Sequence, residues 1–249
     1  MLWWLLLLTP ELPHRPDLYP PEGCILLQRS GRVRLRWNLP GKKFEVKLWK
    51  DEALVSQVKT TDASFPVSVT SGGRYRWTVT PTVGKARRHA FSVTDDFSYH
   101  CDGRTGGLGL SGENGGQVTA ELKRDQYGMN LFIGCKDQPR LHYLFQEPGI
   151  RFTLTSRGGN GGPGRKGRDH APDPGGGSGG NAGWGGNIKV ITHNAPWREY
   201  LDIDVRAGQP GQGGPGGWFY NQQHGLTQAI NGDNGRPGRG GRVETHLQP

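Results

Sequence analysis

The chain has 249 residues, enough for one or two domains. Glycine (42 residues) and proline (18) make up about a quarter of it and hydrophobic residues only 33%, which excludes a conventional hydrophobic core over the whole length. The net charge of +9 is lopsided: residues 1–94 hold 15 Lys/Arg against 7 Asp/Glu, the remainder 16 against 15. That distribution argues against a single polyanion-binding surface along the molecule.

The N-terminal "MLWWLLLLTP" is too short an apolar run to span a bilayer, which takes ~20 residues. No Lys or Arg precedes it and no A-x-A-like site follows, so residues 1–20 read as an atypical or clipped export signal; the alternative is an exposed or packed hydrophobic terminus. "PEGC" before Ile25 is a poor match to a lipoprotein-processing site. Of the three cysteines, Cys101 and Cys135 bracket the first glycine run and the strands after it, and are the pair a disulfide would join. The alternative is three buried thiols; no cysteine pair has zinc-ligand spacing.

Residues 21–96 predict an antiparallel β-sandwich. In "RVRLRW", Val33, Leu35 and Trp37 alternate with Arg32, Arg34 and Arg36. "FEVKLW" alternates Phe44, Val46 and Leu48 with Glu45, Lys47 and Trp49, and "RYRWTVT" alternates Tyr75, Trp77 and Val79 with Arg74, Arg76 and Thr78. Period two broken by "NLPGKK" and "SGGR" is the pattern of half-buried strands. A tryptophan closing an early strand ("RLRWNLP") and a tyrosine after a tight turn ("GGRYRWTV") resemble a fibronectin type III-like or immunoglobulin-like domain, an architecture that carries no particular function. Arg34, Arg36, Lys47 and Arg76 are candidates for a basic docking face, the plainer reading being charges that keep an exposed sheet solvated.

From residue 97 to 249 the organising feature is a glycine every third residue. The sets are 103, 106, 109, 112 and 115; Gly158, Gly161, Gly164 and Gly167; Gly177, Gly180, Gly183 and Gly186; Gly208, Gly211, Gly214 and Gly217; and Gly232, Gly235, Gly238 and Gly241. Three residues is the period of the polyproline II-type helix, which rises ~3.1 Å per residue and has no internal hydrogen bonds. Packed side by side, such helices require glycine wherever they face a neighbour, because a Cβ would hold the backbones apart; close approach then permits inter-helix N–H···O=C bonds.

The unit strand, glycine run, loop, glycine run, strand occurs twice: "RFTLTS" to "NIKVIT" and "YLDIDVRA" to "RVETHL". The set 103–115 feeds "QVTAEL" directly as an additional run. This spacing is similar to the glycine-rich N-terminal domain of Obg-type GTPases and to the polyglycine II tip of bacteriophage tail-fibre adhesins. The first resemblance brings no GTPase with it, since no G-x-x-x-x-G-K-[ST] loop is present. The second implies that loops at the run tips contact a receptor.

Searching for chemistry yields little. "GGSGG" matches a nucleophile elbow around Ser178 only because glycine-rich sequence generates the pattern. No H-E-x-x-H is present, and "GDNG" offers too few oxygen ligands for calcium. No catalytic residue, metal or cofactor is expected. The candidate partner-binding residues are Trp218, Phe219, Tyr220, Gln222 and His224, in the loop between the last two runs. The competing role is that at least one of the three rings caps the end of the glycine helices. Trp184 and Trp197 are expected as packing residues. The expectation is a mainly β, exported, non-catalytic bacterial surface or extracellular protein that binds a protein or surface glycan, with no nucleic-acid partner and no transmembrane span. The second reading is a structural subunit of an envelope, pilus-associated or matrix assembly docking through its basic sandwich.

Overall fold

A computed structural model describes residues 18–29, 31–126, 128–193 and 196–248. The apolar stretch behind the export-signal expectation lies outside the described residues. The fold is mainly β, with a single 3-10 turn (Trp197–Glu199) as the helical element among the described residues, and no helix there is long and apolar enough to cross a membrane. The chain divides into two compact units, the described parts being 18–26 with 31–93, and 27–29 with 94–248.

In the first unit, β1 (Leu18–Tyr19), β3 (Arg32–Trp37) and β6 (Ser64–Ser68) form one sheet in the order β1-β3-β6. A second sheet runs through β2 (Cys24–Leu27), β8 (Arg87–Thr94), β7 (Arg74–Pro81), β4 (Phe44–Lys50) and β5 (Ala53–Thr60) in the order β2-β8-β7-β4-β5. The alternation decides which side chains are buried: Val33, Leu35 and Trp37 from one sheet, and Phe44, Val46, Leu48, Tyr75, Trp77 and Val79 from the other. Trp37 packs on Phe44 (5.5 Å between centroids) and Trp77 (6.4 Å). The Tyr75 hydroxyl accepts from the Thr70 N–H at 2.7 Å, closing the turn before β7.

The second unit contains three copies of the strand–run–turn–run–strand element, where two were expected. β9 (Ser98–His100) leads to run A (102–107), a turn, run B (110–116) and β10 (Val118–Asp125). After the hairpin β11 (Gly128–Cys135)–β12 (Leu141–Phe145), β13 (Phe152–Thr155) leads to runs C (156–168) and D (174–187) and then β14 (Ile188–His193). Finally β15 (Leu201–Asp204) leads to runs E (205–217) and F (229–242) and then β18 (Val243–Gln248). The entering strands pair in parallel as β15-β13-β9; the departing strands pair in parallel as β18-β14-β10, which β11 and β12 extend. Buried Phe152, Leu154 and Leu201 of the first sheet and Val118, Ala120, Leu122, Leu131, Ile133, Leu144, Ile188 and Val190 of the second supply the apolar core, with Tyr143 against Phe152 at 4.9 Å.

The set 103–115 is therefore not one run. Gly109 keeps the triplet phase but adopts φ +70, and the Leu110 N–H bonds back to the Gly107 carbonyl at 2.9 Å, so the chain reverses there. Phase alone could not separate a glycine needed for a turn from one needed for contact.

The runs are held by backbone bonds that repeat every third residue. Runs A to D each reach the run two places later in parallel: A to C (Gly103 to Arg157, Gly106 to Asn160), B to D (Gly112 to Asn181, Gly115 to Trp184), C to E (Gly158 to Arg206, Gly161 to Gln209, Gly164 to Gln212) and D to F (Gly176 to Ile230, Gly179 to Asp233). Every run after A also donates antiparallel to the run before it, as D to C (Gly177 to Arg165, Gly180 to Gly162, Gly183 to Gly159) and E to D (Gly208 to Gly183, Gly211 to Gly180). Runs C and D donate in both directions, which is why their triplets carry paired glycines such as 158/159, 161/162 and 179/180. At fifteen of the sixteen glycines expected to be structural, a Cβ would lie under 3.0 Å from the backbone of another run; Gly177, at 3.1 Å from Arg165 N, is the exception. Asparagines serve N–H groups that no neighbouring carbonyl reaches: Asn160 Oδ1 accepts from Gln209 N, Asn181 Oδ1 from Arg236 N, and Asn231 Oδ1 from Gly216 N, at 2.8–3.0 Å.

Cys101 and Cys135 form a disulfide joining the end of β9 to the end of β11, and Gly116 lies against both sulfurs. Cys24 is buried and free, and burial pushes its thiol up to about 12. His142 stacks on Phe132 (4.2 Å) and donates Nε2–H to Asn130 Oδ1 (2.9 Å); burial holds it down to about 4 against a smaller opposing effect of Asp125.

Two predictions follow from this packing. A Cβ at Gly241 would overlap the Gly186 carbonyl, whereas at Gly240 the nearest atom is Val205 O at 3.8 Å. Gly241→Ala is expected to cost more than about 4 kcal/mol or abolish folding, and Gly240→Ala to stay within about 0.5 kcal/mol, by thermal or denaturant unfolding. For His142, the unfolded ring protonates near pH 6.5 and the folded ring only near 4, so stability is complete above 6.5 and falls as pH drops to 4. The loss is about 2–3 kcal/mol after allowance for partial solvent screening, and His142→Gln should flatten that segment of the stability-versus-pH curve.

Candidate functional site

Between runs E and F the chain forms a hairpin, β16 (Trp218–Asn221) and β17 (Gly225–Gln228), where a loop was expected. Its turn is set by Gly225 at φ +72 and by the Gln223 N–H donating to Asn221 Oδ1 (2.8 Å). The pairing Trp218–Gln228 and Tyr220–Leu226 places Trp218, Tyr220 and Leu226 on one face and Phe219 on the other. Trp218 is 43% exposed, Tyr220 74% and Leu226 61%, while Phe219 is half-buried. Gln222 and His224 are exposed in the turn.

Four hydrogen bonds tie down the base of the hairpin, two to the turn at Asp169 and His170 and two across its own flanks. The Trp218 N–H donates to Asp169 Oδ1 (2.8 Å), and its carbonyl accepts from the His170 N–H (2.7 Å). Ala229 N–H reaches the Gly217 carbonyl (2.8 Å), and Gln228 Nε2 reaches the Gly216 carbonyl (3.1 Å). The bond from Trp218 holds the Asp169 carboxyl below its ordinary range, helped by Lys166 at 3.6 Å. All five candidate residues lie on this one hairpin, but Phe219 faces away from Trp218 and Tyr220, whose face Leu226 joins. The expectation of an irregular loop passes over Leu226; the signal for a hairpin is the alternation "WFYN", then Gly225, then "LTQ".

The basic candidates are not brought together in the same way. Arg34 and Arg36 stand on β3, while Lys47 and Arg76 stand on β4 and β7 of the other sheet. Lys47 pairs with Glu45 (3.5 Å), and Arg76 lies over Trp49 (5.2 Å) and pairs with Glu52 (3.2 Å). Arg34 bonds Ser64 Oγ at 3.3 Å. Nor is Trp184 a packing residue, being 55% exposed with the Arg239 guanidinium 6.0 Å over its ring. Trp197 is half-buried under Arg198.

At the other end of the runs, Asp204 receives Arg206, Arg157 and the Arg206 N–H, and these bonds, Arg206 first, bring its carboxyl down to about 2. It fastens the starts of runs C and E. No family model matches the chain, and neither a curated protein nor a solved structure is similar to it.

Asp169→Ala removes the acceptor of the Trp218 N–H. Amide exchange at Trp218 is expected to accelerate by at least tenfold while exchange in run D stays as slow as in the unaltered chain; equal acceleration in both would show that Asp169 supports the whole assembly of runs.

Proposed function

We propose that the protein is an exported, non-catalytic bacterial surface or extracellular protein that binds a protein or surface glycan through the β16–β17 hairpin. The observation that carries this reading is the exposure of Trp218, Tyr220 and Leu226 on one face of a hairpin whose base is tied down by backbone bonds. Aromatic faces stack on sugar rings and dominate protein contacts, and a pre-ordered backbone loses little entropy on binding. Amide and imidazole groups at Gln222 and His224 add hydrogen-bonding capacity at the rim.

The remaining parts fit this reading. We take the runs A–F as polyglycine II helices packed in a bundle, on the strength of the three-residue hydrogen-bond stride and the excluded Cβ positions. We take the first unit as a fibronectin type III-like sandwich, supported by the β1-β3-β6 sheet, the second sheet and the Tyr75–Thr70 bond before β7. A Cys101–Cys135 bridge suits an oxidising compartment. Phe219, on the inward face, is the ring that fits the capping role. The alternative of a structural subunit docking through a basic face has less support, because its four cations stand on two sheets and two of them have carboxylate partners.

Replacing both Trp218 and Tyr220 by alanine is expected to weaken binding to a glycan array or to intact cell surfaces by at least about 30-fold, ~2 kcal/mol or more, with the melting temperature unchanged. A lowered melting temperature with undiminished binding would make these rings packing residues and end the hairpin reading.

A further inference from the structure

We propose that a second site, across runs B, D and F at their β-strand end, binds an acidic polysaccharide. A cavity of about 350 Å³ is lined there by Asn114, Gln117, Trp184, Asn187, Arg239 and Arg242 over a floor of glycines. Its size is that of small-ligand sites. Trp184 presents an exposed ring, and Arg239 lies over it.

Among the described residues no carboxylate lies within 4.0 Å of Arg239 or Arg242, whereas Arg157 and Arg206 share Asp204, Arg151 meets Asp202 and Arg140 meets Glu121; several other arginines of the unit, Arg165 and Arg236 among them, are likewise without one. The cavity lining itself carries two cations and no carboxylate. Arg239 and Arg242 are three residues apart, or ~9 Å at the polyproline II rise. Their backbones are fastened, the Arg239 carbonyl by the Gly185 N–H (2.9 Å) and the Arg242 N–H by Asn187 Oδ1 (3.2 Å), so the cations project from a held frame.

Gly240 supplies an independent indication. Close packing explains its neighbour Gly241, but nothing lies nearer than 3.8 Å to a Cβ at Gly240, and its φ is not left-handed. Its effect is to keep a side chain out of the cavity that it lines. An adjoining cavity of about 280 Å³ shares Gln117 and adds Lys136, which extends the track beyond one or two sugar units, while Arg140 at its edge is held by Glu121.

The chemistry selects the ligand class. The C–H face of a pyranose stacks on an indole ring, guanidinium forks take carboxylate or sulfate groups, and Asn and Gln amides bond sugar hydroxyls. A neutral glycan would leave the cations unused, and a single exposed ring is poorly matched to the successive bases of a single-stranded nucleic acid. The site lies eleven residues along run F from Gln228, the last residue of the hairpin, and does not depend on the hairpin reading.

The test is titration of the full chain by calorimetry with polygalacturonate (carboxylate), heparin (sulfate), neutral dextran and an oligothymidylate. Saturable binding of at least one acidic polymer is expected, weakening as salt rises, with dextran silent and the oligonucleotide weaker. Arg239→Ala with Arg242→Ala should reduce affinity at least tenfold, and Trp184→Ala should reduce it with the melting temperature unchanged; Trp218→Ala with Tyr220→Ala should leave it alone. Absence of binding to both acidic polymers, equal binding by dextran, tighter binding by the oligonucleotide, or affinity indifferent to the arginine pair would each overturn the proposal.

Discussion

Everything in the second unit depends on the distance at which two backbones can lie. A run with no internal hydrogen bonds must place its N–H groups on neighbours, and here it does so through carbonyls at 2.6–3.0 Å. Such an approach leaves no volume for a Cβ. The energetic support is therefore collective: individual bonds contribute modestly, about 1 kcal/mol each, but no run can be satisfied without the others. Run D, bonded to B, C, E and F, tolerates the fewest side chains among the long runs, with 8 glycines in 14 residues against 5 in 14 for the terminal run F. The tertiary arrangement is written into composition because contact here means the absence of atoms.

The same constraint explains how such a poor hydrophobic composition supports an ordered structure. Apolar burial is confined to the strands at one end of the runs, where Phe152, Leu154, Ile188 and Val190 form a small core, with the Cys101–Cys135 bridge beside it. Toward the hairpin, order comes from hydrogen bonding, with asparagine amides completing the ladder where backbone partners run out. Non-glycine positions of each triplet are then free to face solvent. Trp184, Arg239 and Arg242 occupy such positions, so a rigid lattice displays chosen side chains at intervals set by the backbone. Binding surfaces can arise at both ends of the runs without disturbing what holds them.

Much of this was legible in the residues. Period-two alternation identified β3, β4 and β7, and triplet glycines identified runs C to F, because both patterns record which side of the backbone meets another surface. The asparagines were not read, although "GGN" occurs at 158–160, 179–181 and 185–187; their role depends on which N–H lies opposite. The third copy of the repeat was hidden because its turn, at Gly109, kept the glycine phase. The basic face assembled from Arg34, Arg36, Lys47 and Arg76 failed to converge for a related reason: alternation shows that a residue faces outward but not which sheet carries it.

The sequence by itself determined where β3, β4, β7 and runs C to F lie and which glycines of those runs admit no side chain, since those are local consequences of periodicity and of the missing Cβ. Only the tertiary structure decided that three repeats stack in parallel, that Trp218, Tyr220 and Leu226 share a face while Phe219 turns inward, and that Trp184 stands beside Arg239 and Arg242. Those juxtapositions come from pairing register and from hydrogen bonds between residues roughly fifty positions apart. A one-residue slip would place the same side chains elsewhere while leaving every local pattern unchanged.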